Sequence, residues 1–460
     1  MIKNAHKLLV DLLSLPTSPF NEQYVAGYIR RWAAGRPGLE LTGDEFGNLR
    51  IRLRRGPAAA SPLVFSAHMD HPGFEAQAMI RPGRLRALWR GGVLPEYFPG
   101  AKVRFYSDGA WIRGVIESVK IVRDLRGRRR VRTATIAVKK AVAPGSIGMW
   151  DFPDPLIRGS RLYARGCDDV AGAAAILAAF DQLSEPHAPA SGGRASRPPI
   201  EPEAPARGRR ASYLPIEPEA QARGGRVSCL PTEPEAQARA IRPKSPPPPT
   251  KGSPSNPQSS VPLDLYATFT RAEEVGFAGA IATAAHSSLL PHRARIVAVE
   301  TSSEIPGVKM GEGPILRVGD RDAIFTPALT AFCRQVADDL ARQDKTFKYQ
   351  RKLMDGGTCE SAAFCEYGYE ATGLCVALGN YHNMDPRRKR LAAEYIDLRD
   401  WNGLVKWFVA LATTRREYRP RGNPAFREVL DRLDKEYTPL LRKTTGRTLS
   451  PMPPPAPSTP

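Results

Sequence analysis

Short apolar runs that stop abruptly at histidine or acidic residues recur along the chain. The first run, Leu63–Ser66, lies between Pro62 and Pro72 and leads into His68-Met69-Asp70. Because the run is too short for a helix, we predict a buried strand that presents His68 and Asp70 at its carboxyl end. Similar runs predict further strands at Leu39–Asp44, Asn48–Leu53, Leu263–Thr270, Arg295–Val299, Phe347–Arg351 and Leu374–Leu378.

Helical patterns separate these strands. Apolar residues spaced three and four apart predict helices within Ile2–Ala34, after Asp169, and at Pro327–Gln343, Ile396–Thr413 and Pro424–Leu441. Strands that alternate with helices are typical of an α/β domain. Ligands bind at the carboxyl ends of the strands in such sheets, which is where the polar residues of this chain lie.

Residues 74–162 follow a different pattern. Short β-like runs at Val103–Tyr106, Trp111–Ser118 and Thr133–Val138 alternate with Gly and Pro turns, without a long amphipathic helix. This pattern predicts a small all-β domain or barrel inserted into the α/β domain. We interpret Arg126–Arg130 as a charged hairpin tip and favour a solvated basic turn over a phosphate site.

Residues 186–260 are rich in Pro, Arg, Ser and Ala and contain almost no aromatic residues. The motif Pro-Ile-Glu-Pro-Glu-Ala starts at Pro199 and Pro215, and a variant with Thr starts at Pro231. Such a segment cannot bury enough apolar surface to fold, so we predict a disordered insertion. The insertion either binds a partner as a docking tract or is an expansion of the chain that the fold tolerates. We favour the tolerated expansion.

Net charge, the length of apolar runs and the cysteine pattern indicate which partners and which cellular compartment to expect. The net charge of +20 is compatible with nucleic acid or an anionic surface as partner, or with solubility alone. The sequence shows neither a bilayer-spanning apolar run nor a signal peptide, so we expect no membrane partner. The six cysteines form no Cys-x-x-Cys pair, which favours reduced thiols and a cytoplasmic location.

Candidate chemistry appears at five places where a strand or helix meets a glycine-containing loop. They are His68 with Asp70, Asp168 with Asp169, Glu273 with Glu274, Glu300, and His382. Two histidines and several carboxylates suit a pair of divalent ions such as zinc, with one carboxylate between them. Two such ions activate a water molecule, and the Glu273-Glu274 doublet would supply a ligand and a general base on neighbouring residues.

The order of these motifs resembles a known family. SAHMD, CDDVAGAAA, RAEEVGFAGA, VAVETS, GEGPILRV, GGTCESAAF and NYHNMD are similar to motifs of the M42 glutamyl aminopeptidase-like metallopeptidases, within a wider group of di-zinc exopeptidases. About a hundred residues separate His-x-Asp from Asp-Asp, which leaves room for one small domain. The resemblance implies a mixed-sheet α/β core with a PDZ-like β domain at this point.

The resemblance also implies roles for individual residues. It assigns His68, Asp168 and Glu300 to one metal ion, and Asp168, Glu274 and His382 to the other, with Asp168 bridging. Asp70 would orient His68. Glu273 would be the general base. The expected cofactors are two divalent ions, with Zn²⁺ favoured over Co²⁺ or Mn²⁺.

Three residues depart from the family pattern. Glu300 stands where the family has Asp, Val170 where it has Arg, and Cys359 where it has Asp. Glu is one methylene longer than Asp, so the spacing or the preference for the metals is expected to differ. The Cys359 loop lies near the substrate's N-terminus in relatives, which makes substrate preference an open question.

The resemblance favours a metal-dependent aminopeptidase that releases N-terminal residues from peptides. One alternative is hydrolysis of another amide, in an N-acyl amino acid or a dipeptide, since the scaffold does not separate these activities. A second is a non-catalytic scaffold whose basic insertion binds partners. Besides peptide substrate, the resemblance implies a homo-oligomer formed through the β domain, and nucleic acid is a less favoured partner.

The predicted organisation is a catalytic domain in three parts. These parts are residues 1–73, 163–185 and 261–420, separated by the β domain at 74–162 and the disordered insertion at 186–260, and followed by a C-terminal helix and Pro-rich tail at 421–460.

Deletion of residues 186–260 is expected to leave hydrolysis intact, because a disordered segment between a helix and a strand has to leave the core at its surface. Metal content and turnover of aminoacyl chromogenic substrates, measured for the full chain and the deletion variant, check this. Loss of metal binding on deletion would count against it.

Overall fold

The computed structural model describes residues 2–123, 127–184, 263–420 and 424–444. The predicted disordered insertion at 186–260 and the end of the predicted Pro-rich tail lie outside these ranges. Among the described helices, none is long and apolar enough to cross a membrane.

The helices agree closely with the periodicity of the sequence. Their bounds are α1 (Ile2–Leu13), α2 (Gln23–Ala34), α3 (Val170–Ser184), α4 (Ala278–Ala285), α5 (Pro327–Gln343), α6 (Glu360–Glu366), α7 (Leu398–Thr413) and α8 (Pro424–Thr444). The prediction for α5 is confirmed at both ends. Pro327 stands at its first position, where the missing N–H costs no hydrogen bond.

The strands are more numerous than the apolar runs suggested. Their bounds are β1 (Leu39–Gly43), β2 (Leu49–Arg55), β3 (Leu63–His68), β4 (Gly73–Arg81), β5 (Arg84–Arg90), β6 (Lys102–Ser107), β7 (Ala110–Arg123), β8 (Arg129–Val138), β9 (Ile147–Trp150), β10 (Leu156–Arg158), β11 (Arg161–Ala164), β12 (Leu263–Thr270), β13 (Arg295–Ser303), β14 (Ile315–Asp320), β15 (Gln350–Met354), β16 (Glu370–Gly379), β17 (Met384–Asp385), β18 (Arg390–Leu391) and β19 (Glu394–Asp397).

Eleven of the described strands form one mixed sheet. Its order is β1-β2-β12-β3-β13-β16-β19-β11-β10, with β14 beside β16 and β15 beside β14. The middle strands β12, β3, β13 and β16 are parallel neighbours, whereas β1, β2, β19, β11 and β10 extend the sheet with antiparallel pairs. The predicted α/β core with a mixed sheet is confirmed.

Both faces of the middle strands are buried, which explains why these strands are continuous apolar runs. Phe65 and Val297 face the large core that includes residues of α1, α2, α3, α5 and α7. Val64 and Ile296 face a smaller core with residues of α4 and α6.

The inserted β domain is a closed barrel. Six strands close it in the order β4-β5-β8-β7-β6-β9, and every neighbouring pair is antiparallel. Aromatic rings fill its centre, with Phe74 and Trp89 at 4.5 Å between ring centroids and Trp89 and Phe98 at 5.0 Å. The inserted all-β domain is confirmed. The hairpin of β10 and β11, residues 156–164, pairs in the main sheet instead.

The end of β13 and the start of the last core helix differ from the sequence prediction, because pairing with other strands continues the β structure there. Glu300 lies inside β13 rather than beyond it, since β13 pairs with β16 as far as Ser303. Ile396 was expected in the last core helix but lies in β19, where it pairs with Leu378 and Leu162. Pairing partners so far apart in sequence leave no local signal.

Phe65→Ala is expected to lower the free energy of unfolding by about 3–5 kcal/mol, because a buried aromatic ring leaves a cavity when it is removed. Phe65 is fully buried, and its ring centroid is 4.4 Å from that of Phe408. The measurement is denaturant unfolding, with Tyr367→Ala as control because Tyr367 is 47% exposed. Equal losses in the two variants would contradict the proposed packing.

Candidate metal centre

The structure brings the sequence-predicted site residues together at the carboxyl ends of the parallel strands. Their positions are as follows: His68 ends β3, Asp168 precedes α3, Glu273 and Glu274 form the short turn after β12, Glu300 lies in β13, and His382 lies in the turn after β16. Parallel strands end at the same edge of a sheet, so residues far apart in sequence meet there.

His68, Glu273 and Glu300 form the first group of candidate ligands. Their ligand atoms lie within 4.8 Å of one another, and all three residues are buried. His68 Nε2 is 3.8 Å from Glu273 Oε2, which is too far for a hydrogen bond. Two atoms at this separation can both contact one ion at bond lengths of about 2.0–2.2 Å. The group can therefore hold one divalent cation.

Asp168, Glu274 and His382 form the second group, again with ligand atoms within 4.8 Å of one another. His382 Nε2 is 3.1 Å from Glu274 Oε2 and 3.5 Å from Asp168 Oδ2. One histidine and two carboxylates are a donor set that zinc accepts.

Asp168 lies between the two histidines. Its Oδ1 is 3.8 Å from His68 Nε2, and its Oδ2 is 3.5 Å from His382 Nε2. One carboxylate oxygen therefore faces each group. The first group contains Glu273, which the resemblance assigns as general base, so the ligand assignments stay a prediction.

Several buried polar atoms of the centre have no hydrogen-bond partner among the described residues. They include His68 Nε2, Asp168 Oδ1 and Glu274 Oε1. An unsatisfied buried polar atom costs about 1–3 kcal/mol, so atoms of this kind are uncommon in folded proteins unless a ligand satisfies them. Because these atoms are nitrogen and carboxylate oxygen, the residues present fit two divalent cations.

Negative charge exceeds positive charge in the centre. Burial raises the pKa of the Glu273 carboxyl well above its usual range, and the charges of Glu274 and Asp70 act in the same direction. Burial also raises the pKa of Glu300. For His68, burial lowers the pKa, but the Asp70 carboxylate and the Glu273 charge outweigh it and raise the pKa. Bound cations would reduce this repulsion.

Asp70 connects the first histidine to the acidic doublet. Its carboxylate accepts hydrogen bonds from the backbone N–H groups of Glu273 at 2.9 Å and Glu274 at 3.1 Å. Its Oδ1 is also 3.5 Å from His68 Nδ1. His68 Nδ1 also donates to the backbone carbonyl of Asp70 at 3.1 Å. Asp70 therefore contacts His68 and the backbone of both residues of the acidic doublet.

The turn that carries the acidic doublet is held by polar side chains from elsewhere in the sequence. Ala272 has a left-handed backbone with a φ of 52°. The Glu22 carboxylate accepts from the N–H of Ala272 at 3.0 Å and from Nε of Arg271 at 2.7 Å. Asn48 accepts from the N–H of Arg271 at 3.1 Å. These bonds maintain a conformation that alanine disfavours.

Sequence reasoning missed two residues that hold the backbone of Asp168. His71 Nδ1 donates to the Asp168 carbonyl at 2.8 Å, and Glu394 accepts from the Asp168 N–H at 3.2 Å. Burial lowers the pKa of His71 to about 4, so the imidazole is neutral at neutral pH. His71 could have been found, since it follows Asp70 directly. Glu394 lies in a sequence without any motif.

The turn that carries His382 has a strained backbone and close neighbours. Asn380, His382 and Asn383 have positive φ values of 56°, 52° and 65°. The Tyr381 ring stacks on the His382 ring at 3.8 Å between centroids. Gly92, which follows β5 in the sequence, is a further close neighbour, since a Cβ there would lie 3.0 Å from His382 Nδ1. Strained residues that are held by their surroundings cluster at functional sites.

Glu360 is a further buried acid that sequence reasoning did not single out. Its carboxylate accepts from Ser66 Oγ at 3.2 Å and from Thr270 Oγ1. Ser66 and Thr270 belong to β3 and β12, the strands that present His68 and the acidic doublet. Glu360 therefore joins these two strands near the centre.

A mixed sheet, an inserted barrel and two adjacent groups of candidate metal ligands at the sheet edge define an α/β protein with a candidate metal centre. The sequence matches the profile of the M42 glutamyl aminopeptidase family over residues 47–192 and 255–389, more than half of the chain. The chain belongs to this family of metallopeptidases.

Solved structures share the fold. The TET1 peptidase of Pyrococcus horikoshii is 19% identical with a TM-score of 0.59, and the match covers 89% of this chain and 99% of that one. Aminopeptidase APDkam598 from the archaeon Desulfurococcus kamchatkensis is 20% identical with a TM-score of 0.59, over 89% and 95% of the two chains. A TET aminopeptidase from Thaumarchaeota archaeon SCGC AB-539-E09 is 16% identical with a TM-score of 0.60, over 90% and 97%. None of the curated proteins compared matches the chain.

Asp70→Asn is expected to weaken metal binding about 10- to 100-fold, because an amide cannot accept both backbone hydrogen bonds and face His68 at the same time. Competition with a fluorescent chelator measures the affinity. Asp154→Asn is the matched control, since it removes the same charge at an exposed position. An unchanged affinity in Asp70→Asn would show that the carboxylate does not orient the ligands.

Proposed function

We propose that this chain is an aminopeptidase that removes N-terminal residues from peptides with a two-metal centre and a glutamate general base. The observation that carries the proposal is the pair of buried donor groups, between which Asp168 presents one carboxylate oxygen to each histidine. Membership of the M42 family gives the substrate class.

In this proposal His68, Asp168 and Glu300 hold one ion, and Asp168, Glu274 and His382 hold the other. Two divalent ions bound there would supply a water molecule of lowered pKa and would polarise the carbonyl of the scissile peptide bond. Zn²⁺ is the favoured metal because the donors are imidazole nitrogen and carboxylate oxygen, with Co²⁺ or Mn²⁺ as alternatives. Glu300, one methylene longer than Asp, is the ligand through which metal preference would differ.

Glu273 acts as general base in this proposal. Its backbone N–H donates to Asp70, and its carboxylate belongs to the first donor group, 3.8 Å from His68 Nε2. A buried glutamate with a raised pKa accepts a proton from the attacking water and then returns it to the leaving amine. Its neighbour Glu274 points to the second group and serves as a ligand instead.

We further propose a homo-oligomer formed through the β domain. Solved TET1 structures include a dodecamer and assemblies described as a tetrahedron or a large octahedral shell. The family match covers the barrel strands of this chain, which also supports a PDZ-like relationship for the barrel. A cytoplasmic location fits the described cysteines, which are free thiols.

Glu273→Gln is expected to lower kcat about 100- to 10,000-fold, because the amide cannot accept the proton of the attacking water. The assay uses aminoacyl chromogenic substrates and metal-stripped protein to which Zn²⁺, Co²⁺ or Mn²⁺ is restored. Wild-type turnover should require added metal, and the variant should still bind two ions per chain.

Glu366→Gln is the control, since Glu366 is exposed on α6. Loss of a bound ion in Glu273→Gln would identify Glu273 as a ligand and contradict its role as base. Two bound ions without turnover of any aminoacyl substrate by the wild type would favour an acylated substrate instead.

A further inference from the structure

One side of the barrel carries a strongly basic hairpin. β7 and β8 form it, and its residues Arg123, Arg128, Arg129 and Arg132 are exposed, with Arg130 half-buried. Residues 127–132 contain no acidic side chain. Asp124 precedes these residues in the sequence and lies outside the described ranges. We name Arg123 and residues 127–132 the first basic hairpin.

The first basic hairpin reaches the metal centre. Gly92 lies between the two, and a Cβ at this position would be 3.0 Å from His382 Nδ1 and 3.6 Å from an Arg130 guanidinium nitrogen. His382 belongs to the second donor group. Arg130 therefore lies beside the wall of the candidate active site and not on a distant surface.

A second basic hairpin starts directly after His382. β17 and β18 form it, and its turn carries four consecutive exposed basic residues, Arg387 to Arg390. Met384 and Leu391 at its base pack against the barrel core that contains Val131. This contact places the second hairpin against the barrel core, to which Val131, the residue after Arg130 in the sequence, also belongs.

In the second basic hairpin, Asp385 is the acidic residue of the turn. Asp385 is buried and accepts from the backbone N–H groups of Arg387 and Arg388, both at 3.1 Å. Its carboxylate also pairs with the Arg388 side chain at 3.6 Å. The other basic side chains of the turn extend the positive charge towards the solvent.

Charge therefore changes sign from the interior of the centre to its rim. The donor groups contribute four buried carboxylates, whereas the two hairpins contribute arginine and lysine. A peptide that enters with its positive N-terminal amine first, followed by acidic residues, matches this order of charges. A uniformly anionic polymer such as nucleic acid matches the rim but not the interior.

We infer that the two basic hairpins form a substrate-binding rim that selects peptides with acidic residues after the residue to be removed. This inference rests on the proposed aminopeptidase function and adds the substrate class to it. Arginine suits this role because its planar guanidinium binds a carboxylate with two parallel hydrogen bonds.

The test compares two peptides with the same favoured N-terminal residue, followed by Glu-Glu in one and Gln-Gln in the other. Each exposed ion pair changes an equilibrium constant by up to about fivefold, so we expect wild-type kcat/KM to favour the acidic peptide about five- to twentyfold at low salt. The preference should shrink in 0.5 M NaCl, where screening is strong, with a Debye length of about 3–10 Å.

Two variants test the rim independently, so that a folding defect in one does not decide the result. Arg130→Gln and the double variant Arg387→Gln/Arg390→Gln should each lower the ratio of the two kcat/KM values towards one. Arg432→Gln/Lys435→Gln removes the same charge as the double variant from the exposed helix α8 and should leave the ratio unchanged.

Equal kcat/KM values of the wild type for the two peptides, or a ratio unaffected by both rim variants, would overturn the inference. Weaker binding of labelled single-stranded DNA by the rim variants, with an unchanged peptide ratio, would overturn it in favour of a nucleic-acid surface.

If the proposed aminopeptidase function is wrong, the wild type will turn over neither the aminoacyl substrates nor the two peptides. This result differs from the results that would overturn the rim inference. Fluorescence anisotropy of dye-labelled peptides then tests the rim without turnover. Tighter binding of the Glu-Glu peptide that is lost in the rim variants supports the inference, and equal binding of both peptides overturns it.

Discussion

The concentration of buried carboxylates around two histidines is the constraint on which this structure depends. Asp168, Glu273, Glu274 and Glu300 share one sheet edge, and burial of charge without compensation is unfavourable. The histidines provide part of the compensation, and Asp70 fixes the geometry through the backbone of the acidic doublet. Divalent cations would provide the rest, which is why the centre makes physical sense as a metal site.

The architecture around this centre follows from the need to bring distant residues together. The parallel strands present His68, the acidic doublet and His382 at one edge, and polar residues from other elements then hold their turns. Glu22, His71 and Glu394 each bind a backbone group of a site turn. The segment after β5 of the barrel also approaches the site, since a Cβ at Gly92 would lie 3.0 Å from His382 Nδ1, which is a tight contact.

Much of this could be predicted from the sequence where the signal is local. The apolar run before His68, the helix over Pro327–Gln343 and the β pattern after Phe74 each have a period or a length that identifies them. The candidate site residues also stand out in the sequence, because most of them follow a strand or precede a helix, although Glu300 lies inside β13. The family resemblance added their roles.

The features that could not be predicted from the sequence depend on contacts between residues far apart in the chain. β19 exists because Ile396 pairs with Leu378 and Leu162, and neither partner is visible from the sequence around Ile396. Glu394 supports Asp168 from 226 residues away. The sequence predicts the basic tip between β7 and β8 as a solvated turn, because the proximity of Arg130 to His382 arises only in three dimensions, through Gly92.

Anomalous X-ray diffraction from zinc-loaded crystals is the most direct test of the central claim. The account predicts two anomalous peaks, one beside His68 and Glu300 and one beside Glu274 and His382, with the Asp168 carboxylate in contact with both ions and Glu273 bound to neither. A single peak, or a peak coordinated by Glu273 while Asp168 contacts only one ion, would contradict the two-metal centre with a free glutamate base.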